Sequence, residues 1–139
     1  MTRATLALAP LLLLTISAAC TASRTSDPPL KEVQRARDGN VEMVLLAPTD
    51  ALKQTRNYCT IEFRSAADQH LVDVGSISVR TSMTMEGEPM GGFVTEPKQV
   101  ATGRYTVEMV LAMKGDWTVT IDWIGPAGKG SVTFPSTVQ

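Results

Sequence analysis

Residues 115–123 read GDWTVTIDW, with Trp117, Val119, Ile121 and Trp123 at every second position and Thr118, Thr120 and Asp122 between them. Successive side chains of a strand point to opposite faces of a sheet, so this segment carries one apolar and one polar side. It is satisfied only as a half-buried strand. The preceding stretch RYTVEMVLAM repeats the pattern with Tyr105, Val107, Met109, Leu111 and Met113 on one side, and the intervening KGD reads as a hairpin turn.

The same period of two recurs from Val41 onward in short runs broken by Gly, Pro, Asp and Asn, at about 41 to 47, 57 to 64, 72 to 85, 93 to 100, 104 to 113, 116 to 124 and 130 to 135. Seven short strands without a convincing helix predict an all-β, immunoglobulin-like antiparallel β-sandwich following an N-terminal signal segment. Gly103, two places before Tyr105, fits the corner at which such folds bend into a late strand. A chain of 139 residues, 43% hydrophobic, has room for one such domain. The formal net charge of −1, with 19% charged residues, supplies no basic footprint for nucleic acid.

The first twenty residues follow a different logic. Arg3 precedes the apolar run LALAPLLLLTIS and then small residues, the pattern of a secretory signal peptide. Its end, ISAAC, is similar to the lipobox of bacterial lipoproteins, in which the cysteine becomes the lipidated first residue of the mature chain. Cys20 is therefore the expected lipidation site, with Ser17 departing from the leucine that pattern prefers. Plain signal cleavage is the alternative. Residues 21–40, TASRTSDPPLKEVQRARDGN, lack a sustained apolar period and read as a flexible tether, leaving 41–139 as the sandwich. The expected address is the periplasm or cell surface, with the membrane reached by a lipid anchor at Cys20.

MTMEGEPMGG at residues 83–92, followed by TGRYTVEMVLAMKGDWTVTIDW, resembles the YtkA-like and FixH-like family of exported bacterial domains. There a Met-rich stretch precedes a Gly-Arg-Tyr strand and a Gly-Asp-Trp hairpin. The resemblance spans about residues 41–135. It implies a small β-sandwich outside the cytosol with a link to copper handling and oxidase assembly. Some relatives carry a histidine in the Met-rich stretch, where this chain has Glu86 and Glu88.

Two readings of the methionines stand side by side. Met83 and Met85 continue the apolar face of Ile77, Val79 and Thr81, so they serve as flexible fillers at a core edge. Alternatively, if consecutive strands alternate in direction, the runs at 72 to 85 and 104 to 113 end at the same end of the sandwich. Met83, Met85 and Met90 then meet Met113 there, as soft thioether ligands for Cu(I). Thioethers do not form disulfides, which suits them to an oxidising compartment.

Other chemistry is poorly supplied. The lone histidine, His70, falls at the far end by the same parity and reads as a surface turn residue. Cys59 alternates with Asn57, Ile61 and Phe63 and reads as buried and inert. A pairing of Cys20 with Cys59 is open only if Cys20 carries no lipid. No base stands ready for a nucleophile, and GPAGKGS at 125–131 places Gly130 where a phosphate loop needs Ser or Thr, so it reads as a glycine-rich turn. The chain is thus expected not to be an enzyme. It is expected to bind or pass Cu(I) through Met83, Met85, Met90 and Met113, or else to be a metal-free structural or interaction module for an envelope protein partner.

Overall fold

The computed structural model describes residues 27–139, all of whose regular elements are strands. The expected signal peptide and lipidation at Cys20 lie outside the described residues. In chain order the strands are β1 (Lys31–Asp38), β2 (Val41–Ala47), β3 (Thr55–Ser65), β4 (Ser76–Met85), β5 (Glu88–Thr95), β6 (Lys98–Ala101), β7 (Arg104–Leu111), β8 (Gly115–Gly125) and β9 (Gly128–Val138). They form two antiparallel sheets, one ordered β1-β2-β3-β7-β6 and the other β5-β4-β8-β9. The predicted sandwich is present, with nine strands rather than seven.

Three differences from the sequence expectation have simple causes. The segment taken as tether up to residue 40 enters the sheet at Lys31, because β1 gains its hydrogen bonds from β2; its apolar residues Val33 and Ala36 are only partly buried. An edge strand with one half-buried side shows almost no apolar period. The run at 93 to 100 is two strands: at Glu96–Pro97 the chain passes from one sheet to the other. The predicted hairpin at KGD is instead an inter-sheet crossing, since β7 pairs with β3 and β6 whereas β8 pairs with β4 and β9. Pairing partners, unlike faces, leave no mark in the alternation itself.

Between the sheets lie the alternating residues. Met43 and Leu45 of β2, Cys59, Ile61 and Phe63 of β3, Tyr105, Val107, Met109 and Leu111 of β7, and Trp117, Val119, Ile121 and Trp123 of β8 are all buried. Phe63 packs edge-on against Tyr105 and Trp123, with ring centroids 5.7 and 5.2 Å away. Tyr105 donates its hydroxyl to the carbonyl of Gly75 at 2.7 Å, fastening β7 to the entry of β4. Gly103, with φ +65°, turns the chain into β7 and accepts the Phe63 amide; a Cβ there would lie 2.5 Å from the Val72 carbonyl oxygen. On the opposite edge, Asp38 of β1 accepts the Ser131 amide of β9 at 3.0 Å, which closes the sandwich where two sheet edges meet.

The outer face of the larger sheet carries an ion-pair network whose centre, Glu62, is only 3% exposed. Arg104 donates to its Oε1 at 2.7 Å, and Arg64 donates to its Oε2. Burial pushes the Glu62 carboxyl up, but the hydrogen bonds from Arg64 and Arg104 outweigh it and hold the group below the usual carboxylate range.

Two predictions follow from these contacts. Tyr105→Phe leaves the Gly75 carbonyl without its donor and should lower the unfolding free energy by about 1–2 kcal/mol in chemical denaturation. Because the folded-state pKa of Glu62 is depressed, its stabilisation is complete above the unfolded value of about 4.3 and is lost as pH falls through the folded value. Glu62→Gln should therefore lower the melting temperature at neutral pH and flatten its decline below about pH 4.3; an unchanged acid limb in the variant would refute the assignment.

Candidate metal centre

β4 and β5 form a hairpin closed by Glu86 and Gly87, both at positive φ (+50° and +86°), the conformation of a two-residue type I′ turn. That turn fixes the register, so Met85 faces Glu88, Thr84 faces Pro89 and Met83 faces Met90. Directly paired residues project from the same side of a sheet. Met83, Met85 and Met90 consequently share the inward side, at the end where β4 stops. On its other flank Met83 pairs with Trp117 of β8, which sets Trp117, Met83 and Met90 in one row across three strands.

Met113 reaches the same end from the other sheet. β7 ends at Leu111 and β8 begins at Gly115, so residues 112–114 bridge the sheets directly above this row. The Met83 methyl carbon lies 3.2 Å from where a Cβ on Gly115 would stand, two residues from Met113. Met113 packs half-buried against the core. Thus the four methionines singled out in the sequence gather at one rim. β5 and β6 run in the same direction, so splitting the expected run at 93 to 100 leaves the parity intact.

Access differs among the four. Met83 is 6% exposed, whereas Met85 and Met90 are each 43% exposed. One sulfur side chain therefore belongs to the packed interior and two stand open to solvent. Glu86 and Glu88 are exposed beside them, and Asp116 accepts the Thr137 hydroxyl at 2.7 Å. No group of three or more His, Cys, Asp or Glu side chains suited to a metal exists among the described residues. The donor set at the rim is one of thioethers, which match a soft monovalent ion and not zinc, calcium or magnesium.

The remaining candidates stay apart. His70 stands in the β3–β4 connection at the other end, exposed, with Nδ1 3.4 Å from Asp68. Cys59 is a free, buried thiol whose pKa is pushed up to about 12 by burial, which suppresses the thiolate needed for ligation or attack. The glycine-rich stretch at 125–131 forms the β8–β9 hairpin, with Gly125 opposite Gly128. Sequence reasoning missed the groups that hold the rim together. Trp117 donates its indole N–H to the Met113 carbonyl at 2.9 Å, and Gln54 donates to the Ala112 carbonyl at 3.1 Å. The inward parity of Trp117 was legible, but its hydrogen-bond partner depends on the sheet crossing.

The sequence model of a family described as YtkA-like matches residues 35–122. Among curated proteins no sequence matches. Among solved structures, the chain is similar to FetP of uropathogenic Escherichia coli strain F11 as isolated, with 10% identity, 76% of this chain and 93% of that chain covered, and a TM-score of 0.54. It is similar also to a copper-bound single-residue variant of FetP from the same strain, at 9% identity, 78% and 97% coverage, and a TM-score of 0.55. At these identities the likeness is one of fold.

Exposure of the sulfurs makes a direct prediction. Brief treatment with dilute hydrogen peroxide should convert Met85 and Met90 to sulfoxides well before Met43 and Met109, which are 0% and 2% exposed. Peptide mass mapping reads the order, and equal rates at all four positions would contradict the described rim.

Proposed function

The chain belongs to the YtkA-like family, and on that premise we propose that it is an exported, lipid-anchored, non-catalytic domain that binds or passes Cu(I) through Met83, Met85, Met90 and Met113. The observation that carries the reading is the cross-strand pair of Met83 and Met90 beside Met85, two of the three open to solvent. Periplasmic expression is stated for FetP as isolated, and bound copper for its variant; both support an envelope copper role for a chain of this fold without supplying ligands.

The chemistry of the rim suits cargo better than a permanent cofactor. Thioethers carry no proton to displace and no charge to neutralise, so each sulfur is a weak, soft donor. A buried Met83 gives a fixed point, while Met85 and Met90, exposed on the hairpin, can exchange the ion with a partner. The neighbouring carboxylates of Glu86 and Glu88 favour the approach of a cation. Lipidation of Cys20 rests on the sequence motif alone and is read by mass spectrometry of the membrane-extracted chain.

A metal-free interaction module is the second reading, favoured by Phe93 and Val94, which are exposed on the edge strand β5. Anaerobic titration of the purified chain separates the two. About one equivalent of Cu(I) should bind, and replacing Met83, Met85 and Met90 with leucine should weaken binding by at least about 100-fold while β-sheet circular dichroism is retained. A wild-type chain that takes up no Cu(I) would leave the interaction module. Unaltered affinity in the triple variant would move the site elsewhere.

A further inference from the structure

We propose that Trp117 is a positioning residue that couples Met113 to the hairpin methionines, so that ligands from the two sheets act as one site; this rests on the Cu(I) reading above. The methionines of β4 and β5 are aligned by their own hairpin register. Met113 has no such guide. It sits in a three-residue crossing between sheets, a segment with no strand partner of its own.

Trp117 supplies the missing constraint. Its ring is buried, at 4% exposure, next to Met83 in the inward row. The indole nitrogen is a donor only and finds its acceptor in the Met113 carbonyl at 2.9 Å, four residues back along the chain. Leaving that N–H unpaired inside the sandwich would be unfavourable, so the bond holds the crossing down onto the row. Gly115 completes the geometry: its φ of +129° suits glycine, and its bare Cα leaves the space occupied by the Met83 methyl group. From the exposed side, Gln54 ties the adjacent Ala112 carbonyl to the β2–β3 connection. Met113 is therefore placed by two side-chain hydrogen bonds to its own turn, one from β8 and one from the β2–β3 connection.

Trp123 offers an internal control. It lies near the far end of β8, against Phe63 and over Gly130, away from the methionines. Cu(I) at the rim should change the emission of Trp117 and leave that of Trp123 unaltered.

The test is a double-mutant cycle in the full-length chain, with Cu(I) affinity measured anaerobically by competition with a colorimetric Cu(I) chelator. Trp117→Phe keeps an aromatic ring and deletes the N–H; Met113→Leu deletes the thioether and keeps the volume. Each should weaken Cu(I) by about tenfold, and the double variant should be no weaker than either, the signature of strongly coupled groups. Gln54→Ala, at an exposed position, is the second probe should Trp117→Phe fail to fold. It should lower affinity by about threefold in the wild type and leave it unchanged in Met113→Leu. Additive losses, or wild-type affinity in both Trp117→Phe and Gln54→Ala, would overturn the coupling while leaving the Cu(I) site standing. A wild-type chain that binds no Cu(I) would overturn the site and the coupling together.

Discussion

The pairing of β4 with β8 governs the molecule. Eight consecutive residue pairs run from Ser76 opposite Ile124 to Met83 opposite Trp117 without a shift. Ile77, Val79, Thr81 and Met83 thereby lie beside Trp123, Ile121, Val119 and Trp117 on the buried side, and serine, threonine and Asp122 face water. A slip of one residue would exchange these sets entirely, exposing two tryptophans and burying Asp122. Since the buried row at one end is also the row that carries Met83, the force that fixes the core fixes the candidate site.

That coupling explains why the alternation was so informative. Trp117, Val119, Ile121 and Trp123 are inward because each is apolar and every second residue faces the same way; no knowledge of neighbours is required. The same rule placed Cys59 inside, whereas His70 was placed at the far end by strand direction and read as a turn residue. It also located the end of the sandwich where Met83, Met85, Met90 and Met113 gather, since strand direction follows from counting reversals. Whether those methionines hold a metal was not legible at that level, because a thioether serves equally as packing and as ligand.

What escaped the sequence was everything set by partnership rather than by face. Lys31–Asp38 becomes a strand because β2 offers it an edge, not because its own residues demand one. Glu62, on the polar side of β3 by parity, is buried because Arg64 and Arg104 cover it from the same strand and the next. The KGD segment has the composition of a hairpin, yet its flanking strands pair elsewhere. Such facts arise from long-range contacts, and only the assembled sheets reveal them.

The crossing at 112–114 indicates how a small sandwich could carry the proposed rim site without sacrificing its core. Two sheets packed face to face present open ends, where the last inward residues are covered on one side only. Polar ligands there would burden the interior with groups that need hydrogen-bond partners when no ion is bound. Methionine avoids that conflict: its sulfur tolerates apolar neighbours, its chain is flexible, and it carries no charge. Met83 can therefore complete the packing beneath Gly115 while Met85 and Met90 remain outside. A donor set of this kind would cost the fold little in either state, and the hydrogen bonds from Trp117 and Gln54 go to backbone carbonyls rather than to the methionine side chains. The sulfurs stay adaptable while the segments that carry them are held, a division of labour that would suit the proposed reversible transfer of a soft ion.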